Sequence, residues 1–182
     1  MAPHIALHEV GADFEICSVS FARREHRDPA YLAINPEGKV PTLLVDDRPL
    51  TEVAGILFFL AKRFPHAGLL PVDDPEAEAH VLSWMSFLAS TVHPARRRGV
   101  EHALDVYRIV EKRLGERPFV VGSKMSVADI HLFRLFWRFR RSANLAPGAL
   151  PLLEAFHDRM RERPAVRKTL EIEENIGYEL PS

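Results

Sequence analysis

The pattern of apolar and polar positions predicts two parts in this chain, a mixed first third and a helical remainder. In the first third, the apolar residues first have helical spacing, then partly alternate with polar residues, and then have helical spacing again. The predicted elements there are a helix over 1–11, a strand over 14–19, a strand over 42–45, a short return strand from 50 and a helix from 51 to 64. Thr51 is the predicted cap of that last helix.

Beyond this part every predicted element is a helix. Prolines and glycines over 65–73 predict a linker between a domain over 1–64 and a domain over 74–182. Asp74 followed by Pro75 is typical of a helix N-terminus, and Pro94 should break or kink that helix. The remaining helices are predicted over 101–114, after 126, over 150–161 and over 164–170, with an extended surface segment after 173.

The strongest local signal lies just before the third of these helices. Ser126 can cap the helix, and Asp129 can bind the backbone N–H of the cap residue in return, which is a capping box with Asp in place of Glu. The helix that follows is apolar on nearly all sides. Such a helix is typically buried, so we predict that it lies at the centre of its domain.

Composition and charge narrow the possible functions. A formal net charge of −1 gives no sign of nucleic-acid binding, and no apolar run of about 18 residues predicts a membrane span. The single cysteine, Cys17, fits a reducing cytoplasm, where we expect the protein, and is interpreted as a small core or sheet-face residue. His4, His8 and Glu9 have the spacing of helical metal ligands but no strong further ligand, so no metal site is predicted.

The loop over 35–43 brings a Val-Pro bond to the start of the second strand. Its Asn-Pro pair opens a turn and Gly38 allows a positive φ, whereas Pro41 removes an N–H where the strand should begin. Considered locally, this pattern fits an ordinary proline-containing strand edge and a ligand-binding loop equally well.

Four stretches together resemble the glutathione S-transferase family, most closely its bacterial members. The first is the loop Asn35-Pro36-Glu37-Gly38-Lys39-Val40-Pro41-Thr42-Leu43, which resembles the family's glutathione-binding loop. Gly122-Ser123-Lys124-Met125-Ser126-Val127-Ala128-Asp129 resembles the Gly-x-x-x-Ser/Thr-x-Ala-Asp motif of the family's helical domain. Arg163-Pro164-Ala165-Val166 resembles the start of the family's last helix, and Ala2-Pro3-His4-Ile5-Ala6-Leu7 resembles the first helix of bacterial members.

The resemblance implies a thioredoxin-like glutathione-binding domain followed by an all-helical domain. It also implies glutathione as co-substrate, a small electrophile as second substrate and a homodimeric assembly. In the family, a strand and a loop with the catalytic Tyr, Ser or Cys precede the first helix, and they take up about a dozen residues. Because Met1 stands where that loop meets the helix, we expect an incomplete first domain, no catalytic residue in this chain, and Met1 to be an internal methionine of a longer reading frame.

Three site residues implied by the resemblance lie on the small domain. Val40 would offer its backbone N–H and C=O to the cysteine of glutathione, and Pro41 would hold a cis Val-Pro bond. Glu52 would bind the γ-glutamyl ammonium. An acid in a first helical turn also has a purely structural explanation, a favourable interaction with the helix dipole of about 0.3–1 kcal/mol.

Four further residues are implied by position. Val53 stands where most members have Ser, so a hydroxyl contact to the γ-glutamyl carboxylate is lost, although the backbone N–H at the helix N-terminus remains. Lys39 either neutralises the glycyl carboxylate or is solvated. Ser86 and His93 match polar positions of the active-site cleft in bacterial members, and for His93 a plain surface position fits equally well.

Two functions therefore remain open. The first is a glutathione transferase, with weak conjugating activity expected because the group that would activate the thiol lies in the segment we expect to be absent. The second is a non-catalytic binding or interaction module of the same fold. A thioredoxin-like reductase is disfavoured because the chain has no Cys-x-x-Cys motif.

Overall fold

The computed structural model describes residues 1–177. The first part of the chain contains α1 (Ala2–Glu9), α2 (Pro29–Ile34), β1 (Leu43–Val45), β2 (Arg48–Leu50) and α3 (Val53–Arg63). Strands β1 and β2 are antiparallel, with Leu43 opposite Leu50. Glu52 is the residue that precedes α3, and no side chain caps this helix, so the predicted cap at Thr51 is wrong.

The predicted strand over 14–19 is also wrong, because residues 12–20 form no regular element. A strand requires a neighbour with which its backbone groups can pair, and the sheet of the described part contains only β1 and β2. The alternation instead reflects local packing: the Phe14 ring lies 5.5 Å from that of His4 and 4.9 Å from that of His8, while Ile16 is exposed. Cys17 is exposed too, so its interpretation as a core or sheet-face residue is wrong.

In the rest of the described chain the regular elements are all helical and are joined by loops. Its elements are α4 (Pro75–Phe87), a π-helical turn (Leu88–Val92), α5 (His93–Ala95), α6 (Val100–Leu114), α7 (Val127–Ala143), α8 (Pro151–Arg161) and α9 (Pro164–Ile176). The π-helical turn interrupts the α-helical pattern just before Pro94, which confirms the predicted break. Helix α9 runs past the predicted end at 170, so an extended segment is wrong for residues 174–176; positions 178–182 lie outside the described residues.

Helix α7 is buried along most of its length and packs against α1, α3, α4 and α8. Its first turn holds Asp129, which is fully buried and accepts hydrogen bonds from the backbone N–H of Val120 (2.8 Å), the backbone N–H of Ser126 (2.8 Å) and the Ser126 hydroxyl (2.9 Å). The predicted buried helix and capping box are therefore confirmed. None of the described helices combines the length and the apolar character that crossing a membrane requires.

Candidate functional site

The β1–β2 hairpin brings the Val40-Pro41 loop close to Glu52. Because Leu43 pairs with Leu50, the residues just before β1 and just after β2 lie at the same end of the hairpin. The Val40-Pro41 peptide bond is cis, as the resemblance implies. This end of the hairpin is therefore a short edge that carries Val40 and Glu52, two of the residues for which the resemblance implies a contact with glutathione.

Asn35 holds this loop in shape. Its side chain is buried, and its amide donates to the Lys39 carbonyl (2.8 Å) and to the Thr42 hydroxyl (3.2 Å). The Tyr31 hydroxyl donates to the same Lys39 carbonyl at 2.5 Å. These bonds fix the chain on both sides of Val40-Pro41. The sequence indicated only a turn at Asn35, and its role depends on contacts with residues up to seven positions away.

Gly38 is required by the close approach of two segments in the same loop. Its φ is +61°, and a Cβ at this position would lie 2.7 Å from the His26 carbonyl oxygen. That distance is far below a van der Waals contact, and L side chains rarely adopt this backbone conformation. The loop can therefore pack in this way only with glycine at position 38.

Val40 keeps both of its backbone polar groups open. Within residues 1–177 neither its N–H nor its C=O forms a hydrogen bond, and the residue is 38% exposed. The neighbouring Lys39 carbonyl, in contrast, already accepts two bonds. An open N–H and C=O on one residue can pair with the backbone of a peptide ligand, as in strand addition.

Glu52 combines an unusual backbone with an unpartnered side chain. Its φ of 64° and ψ of 122° lie outside the common regions, and such conformations cost about 1–3 kcal/mol and concentrate at functional sites. The carboxylate is exposed and makes no hydrogen bond or ion pair with the described residues. Val53, half-buried, is the first residue of α3, where the backbone N–H groups have no partner within the helix.

Lys39 lies on the same edge but is already paired. Its ammonium contacts the Glu37 carboxylate at 2.5 Å, and both side chains are exposed. This contact raises the pKa of Lys39, with a further contribution from Glu52, whereas the Arg97 guanidinium opposes it. The charges of Glu52 on one side and Arg97 of the helical part on the other therefore both reach Lys39.

The two cleft positions predicted on the helical part differ in their surroundings. Ser86 is exposed on α4 and makes no hydrogen bond within the described range. His93 lies beyond the π-helical turn, on α5. The residue is exposed, but partial burial of its ring lowers its pKa to about 4, together with the charges of Arg134, Arg138 and Arg97. Its imidazole is therefore neutral at neutral pH.

Within residues 1–177, no metal site coincides with these positions. No group of three or more His, Cys, Asp or Glu side chains in that range could hold a metal ion. A shallow groove of about 540 Å³ lies between α8 and α9, but it is lined by none of the residues named above. The hairpin edge with Val40, Glu52 and Lys39 is therefore the candidate site.

Comparisons with known proteins agree with this architecture. The family model described as Glutathione S-transferase, N-terminal domain, matches residues 1–62, and the model of the C-terminal domain matches residues 73–164. Glutathione S-transferase GstA of Escherichia coli O157:H7 is 31% identical over 95% of this chain and 93% of its own length. The chain belongs to the glutathione S-transferase family.

Two solved structures extend the agreement to three dimensions. A glutathione transferase homologue from Sulfitobacter with bound glutathione matches with a TM-score of 0.86 and 32% identity over 93% of this chain and 91% of its own. A sphingomonad glutathione S-transferase complexed with glutathione matches with a TM-score of 0.84 and 34% identity over 94% of this chain and 92% of its own. The predicted family and the predicted thioredoxin-like and helical fold are confirmed.

Proposed function

We propose that this chain binds glutathione along the hairpin edge and presents its thiol to a small electrophile. The observation that carries the proposal is the pair of open groups on that edge: the backbone of Val40 and the carboxylate of Glu52. Neither group has a hydrogen-bond or ion-pair partner among the described residues. The two structural relatives named above were solved with glutathione, which supports the same ligand here.

Each contact follows from the chemistry of the tripeptide. The N–H and C=O of Val40 pair with the backbone of its cysteine, and Glu52 binds the γ-glutamyl ammonium. The backbone N–H of Val53 at the start of α3 receives the γ-glutamyl carboxylate, because helix N-termini favour negative charge. Lys39 exchanges its contact with Glu37 for the glycyl carboxylate.

The thiol reacts as its thiolate, so a transferase requires a donor or a positive field that lowers the thiol pKa. The Tyr31 hydroxyl does not serve, because it is bound to the Lys39 carbonyl and lies 3.0 Å from the Thr42 hydroxyl. His93 is neutral and supplies no positive charge. We therefore propose that the chain binds glutathione but conjugates it only weakly. The second candidate function is a non-catalytic binding module of the same fold.

We also propose that the chain works as a two-fold homodimer, since membership of the family favours that assembly. Light scattering of the purified chain after gel filtration measures its mass directly. A mass of twice 20.7 kDa is expected, and a monomer at all concentrations would contradict the dimer.

The test of glutathione binding is calorimetric titration of the purified chain and of Glu52→Gln. This substitution removes the charge but keeps the size, so affinity for glutathione should fall about tenfold or more. Glu101→Gln is the matched control, because Glu101 is another exposed acid near the N-terminus of a helix. Equal affinity of the wild type and Glu52→Gln, or no binding by either, would overturn the proposal.

A further inference from the structure

An open pocket between α7 and α8 has an unusual lining. Its volume is about 280 Å³, and it is lined by Trp137, Arg140, Arg141, His157 and Arg161. Three of these five residues carry a permanent positive charge, and none is an acid. No residue of the hairpin edge lines it. A pocket of this composition suits an anion better than an uncharged ligand.

Arg141 is held in position without using its hydrogen-bond donors. Its guanidinium carbon lies 4.9 Å from the centre of the Trp137 ring. Stacking on an aromatic ring uses the flat face of a guanidinium, and the N–H groups, which lie in its plane, stay available. Within the described chain the Arg141 side chain makes no hydrogen bond or ion pair. The Trp137 ring therefore orders a cation whose charge and donors are open to a ligand.

Arg161, the last residue of α8, is the second open cation of the pocket. Its side chain is exposed and has no hydrogen bond or ion pair among residues 1–177. Asp158 and Glu162 line the neighbouring α8–α9 groove together with Arg161, but neither pairs with it. Asp158 lies 3.8 Å from Arg140 instead, so this acid offsets only one of the three arginines.

His157 is the buried member of the lining. It is 5% exposed, and its ring stacks on Phe133 with the two centres 5.2 Å apart. Its Nδ1 lies 3.1 Å from Nη1 of Arg140 and 3.0 Å from Oδ1 of Asp158. Nδ1 can accept from Arg140 only without a proton and can donate to Asp158 only with one, so the two bonds exclude each other. An anion that binds Arg140 therefore leaves His157 with Asp158 as its partner.

The helix dipole offers a structural explanation for part of this pattern. Arg140 and Arg141 lie in the last turn of α7 and Arg161 in that of α8, where a cation interacts favourably with the dipole. That interaction accounts for positive charge at each helix end. It does not account for three guanidinium groups around one pocket, since like charges that share a site repel each other unless an anion lies between them.

We propose that this pocket binds a phosphate monoester, held by Arg141 and Arg161 and joined by Arg140 on binding. Near neutral pH a phosphate monoester carries about two negative charges and three acceptor oxygens. These match several guanidinium groups, whereas a carboxylate is satisfied by a single arginine. The volume lies just below the range of drug-sized ligand sites, so we expect a small phosphorylated molecule.

The experiment compares phenyl phosphate with phenyl sulfate, which has nearly the same shape but only one negative charge. Calorimetric titration of the full chain near neutral pH, in a buffer free of phosphate and glutathione, measures both affinities. We expect phenyl phosphate to bind about tenfold or more tightly, because the second charge meets a further guanidinium. Added salt should weaken the binding of both. No binding of phenyl phosphate, or equal affinity for the two compounds, overturns the proposal.

The indole N–H signals of the two tryptophans locate the bound molecule. In a proton–nitrogen correlation spectrum, phenyl phosphate should shift the signal of Trp137, which Trp137→Phe identifies by its loss. The signal of Trp84 should stay in place, because Trp84 is 3% exposed and does not line the pocket. A shift of the Trp84 signal alone would place the ligand elsewhere and overturn the assignment.

Arg141→Gln and Arg161→Gln should each weaken the binding of phenyl phosphate about tenfold or more. Arg161→Lys should keep part of the affinity, because Lys retains the charge but loses the two-pronged geometry. Arg167→Gln is the matched control: the Arg167 side chain is also exposed and unpaired among residues 1–177, and it lines the neighbouring groove but not this pocket. Equal losses in Arg161→Gln and Arg167→Gln, or no loss in either pocket variant, overturn the assignment.

A phosphate monoester can be free in solution or be the headgroup of phosphatidic acid. The lining contains one aromatic and no aliphatic side chain that could enter a bilayer, so we expect a soluble ligand. Sedimentation with phosphatidylcholine vesicles, with and without phosphatidic acid, distinguishes the two sources. Sedimentation that requires both phosphatidic acid and Arg161 would overturn the assignment of a soluble ligand.

Glutathione titration separates this pocket from the proposed function. Arg161→Gln should bind glutathione with wild-type affinity, whereas equal losses for glutathione and phenyl phosphate would mean a single shared site and overturn the inference. Absence of glutathione binding in the wild type would overturn the proposed function alone, because phenyl phosphate is titrated without glutathione.

Discussion

Two carboxylates at helix N-termini are used in opposite ways in this molecule. Asp129, in the first turn of α7, is fully buried and receives three hydrogen bonds. Glu52, which precedes α3, is exposed and receives none from the described residues. An acid near a helix N-terminus thus has all its hydrogen bonds within the fold at α7, whereas the corresponding acid at α3 has none. This difference is the basis for the proposal that Glu52, unlike Asp129, binds a ligand.

The backbone around the two acids supports this contrast. Ser126, which precedes α7, has ordinary extended dihedral angles of −124° and 174°, and its N–H binds Asp129. Glu52 has φ of 64°, a conformation that is unfavourable for a residue with a side chain. In the first region local geometry and side-chain bonding stabilise each other. In the second region the geometry is unfavourable in the absence of a ligand.

The largest effect is expected for Asp129→Ala. This change leaves two buried N–H groups and one hydroxyl without their acceptor, so the free energy of unfolding should fall by about 3 kcal/mol or more. Urea denaturation followed by circular dichroism measures it. Asp105→Ala, which removes an exposed acid, should change the same quantity by less than about 0.5 kcal/mol. If Asp129→Ala lowers the free energy of unfolding by less than about 1 kcal/mol, Asp129 does not differ from Glu52 in its importance for the fold.

The pH dependence of the free energy of unfolding provides a second measurement of the role of Asp129. Burial raises the pKa of Asp129 to about 6, although its hydrogen bonds oppose that shift. Between about pH 4 and pH 6 the folded state therefore binds this proton more readily than the unfolded chain does. The contribution of Asp129 is fully present below about pH 4 and decreases as the pH rises toward 6. The difference in stability between wild type and Asp129→Ala should follow this dependence.

Local signals predicted the positions of most helices, but not all of their ends. The capping box at Ser126 and Asp129 and the apolar helix after it were predicted because their partners lie within a few residues. The strand over 14–19 was wrong because a strand depends on a neighbour that the local pattern does not reveal. The end of α9 was placed too early because no proline or glycine marks it before Gly177.

The candidate site was predictable only in part. The cis bond at Val40-Pro41 followed from the resemblance, and the structure confirms it. The dihedral angles of Glu52 could not be foreseen, since residues with a side chain rarely adopt them. Arg141 and Arg161 were not singled out, because an arginine near a helix C-terminus usually lies on a solvated face. That they line one pocket becomes visible only when α7 and α8 are packed together.

A smaller effect is expected for Gly38→Ala, which tests whether the open groups of Val40 depend on the shape of the loop. Gly11→Ala is the matched control: Gly11 also has a positive φ, of 66°, but a Cβ added there would have no described atom within 4 Å. Both changes incur the backbone cost, and Gly38→Ala adds a clash with the His26 carbonyl. We expect Gly38→Ala to lose about 1–3 kcal/mol more than Gly11→Ala.

Glutathione affinity should distinguish these two variants as well. Displacement of the loop moves Val40, so Gly38→Ala should bind glutathione more weakly, whereas Gly11→Ala should bind it like the wild type. Calorimetric titration of both variants checks this. If both bind glutathione as tightly as the wild type, the shape of the loop is not what positions the ligand.

The smallest effect on stability is expected for Glu52→Ala. The removed carboxylate is exposed and without a partner among residues 1–177, so the loss is its interaction with the dipole of α3, about 0.5 kcal/mol, and a longer-range attraction to Lys39. Saturating glutathione should then make the free energy of unfolding of the wild type higher than that of Glu52→Ala. At a concentration of about 100 times Kd, a ligand raises the free energy of unfolding of the wild type by about 2.7 kcal/mol, and the variant should gain much less at the same concentration. A large loss of stability in Glu52→Ala without ligand would mean that the fold uses this acid as it uses Asp129, and the open edge would no longer indicate binding.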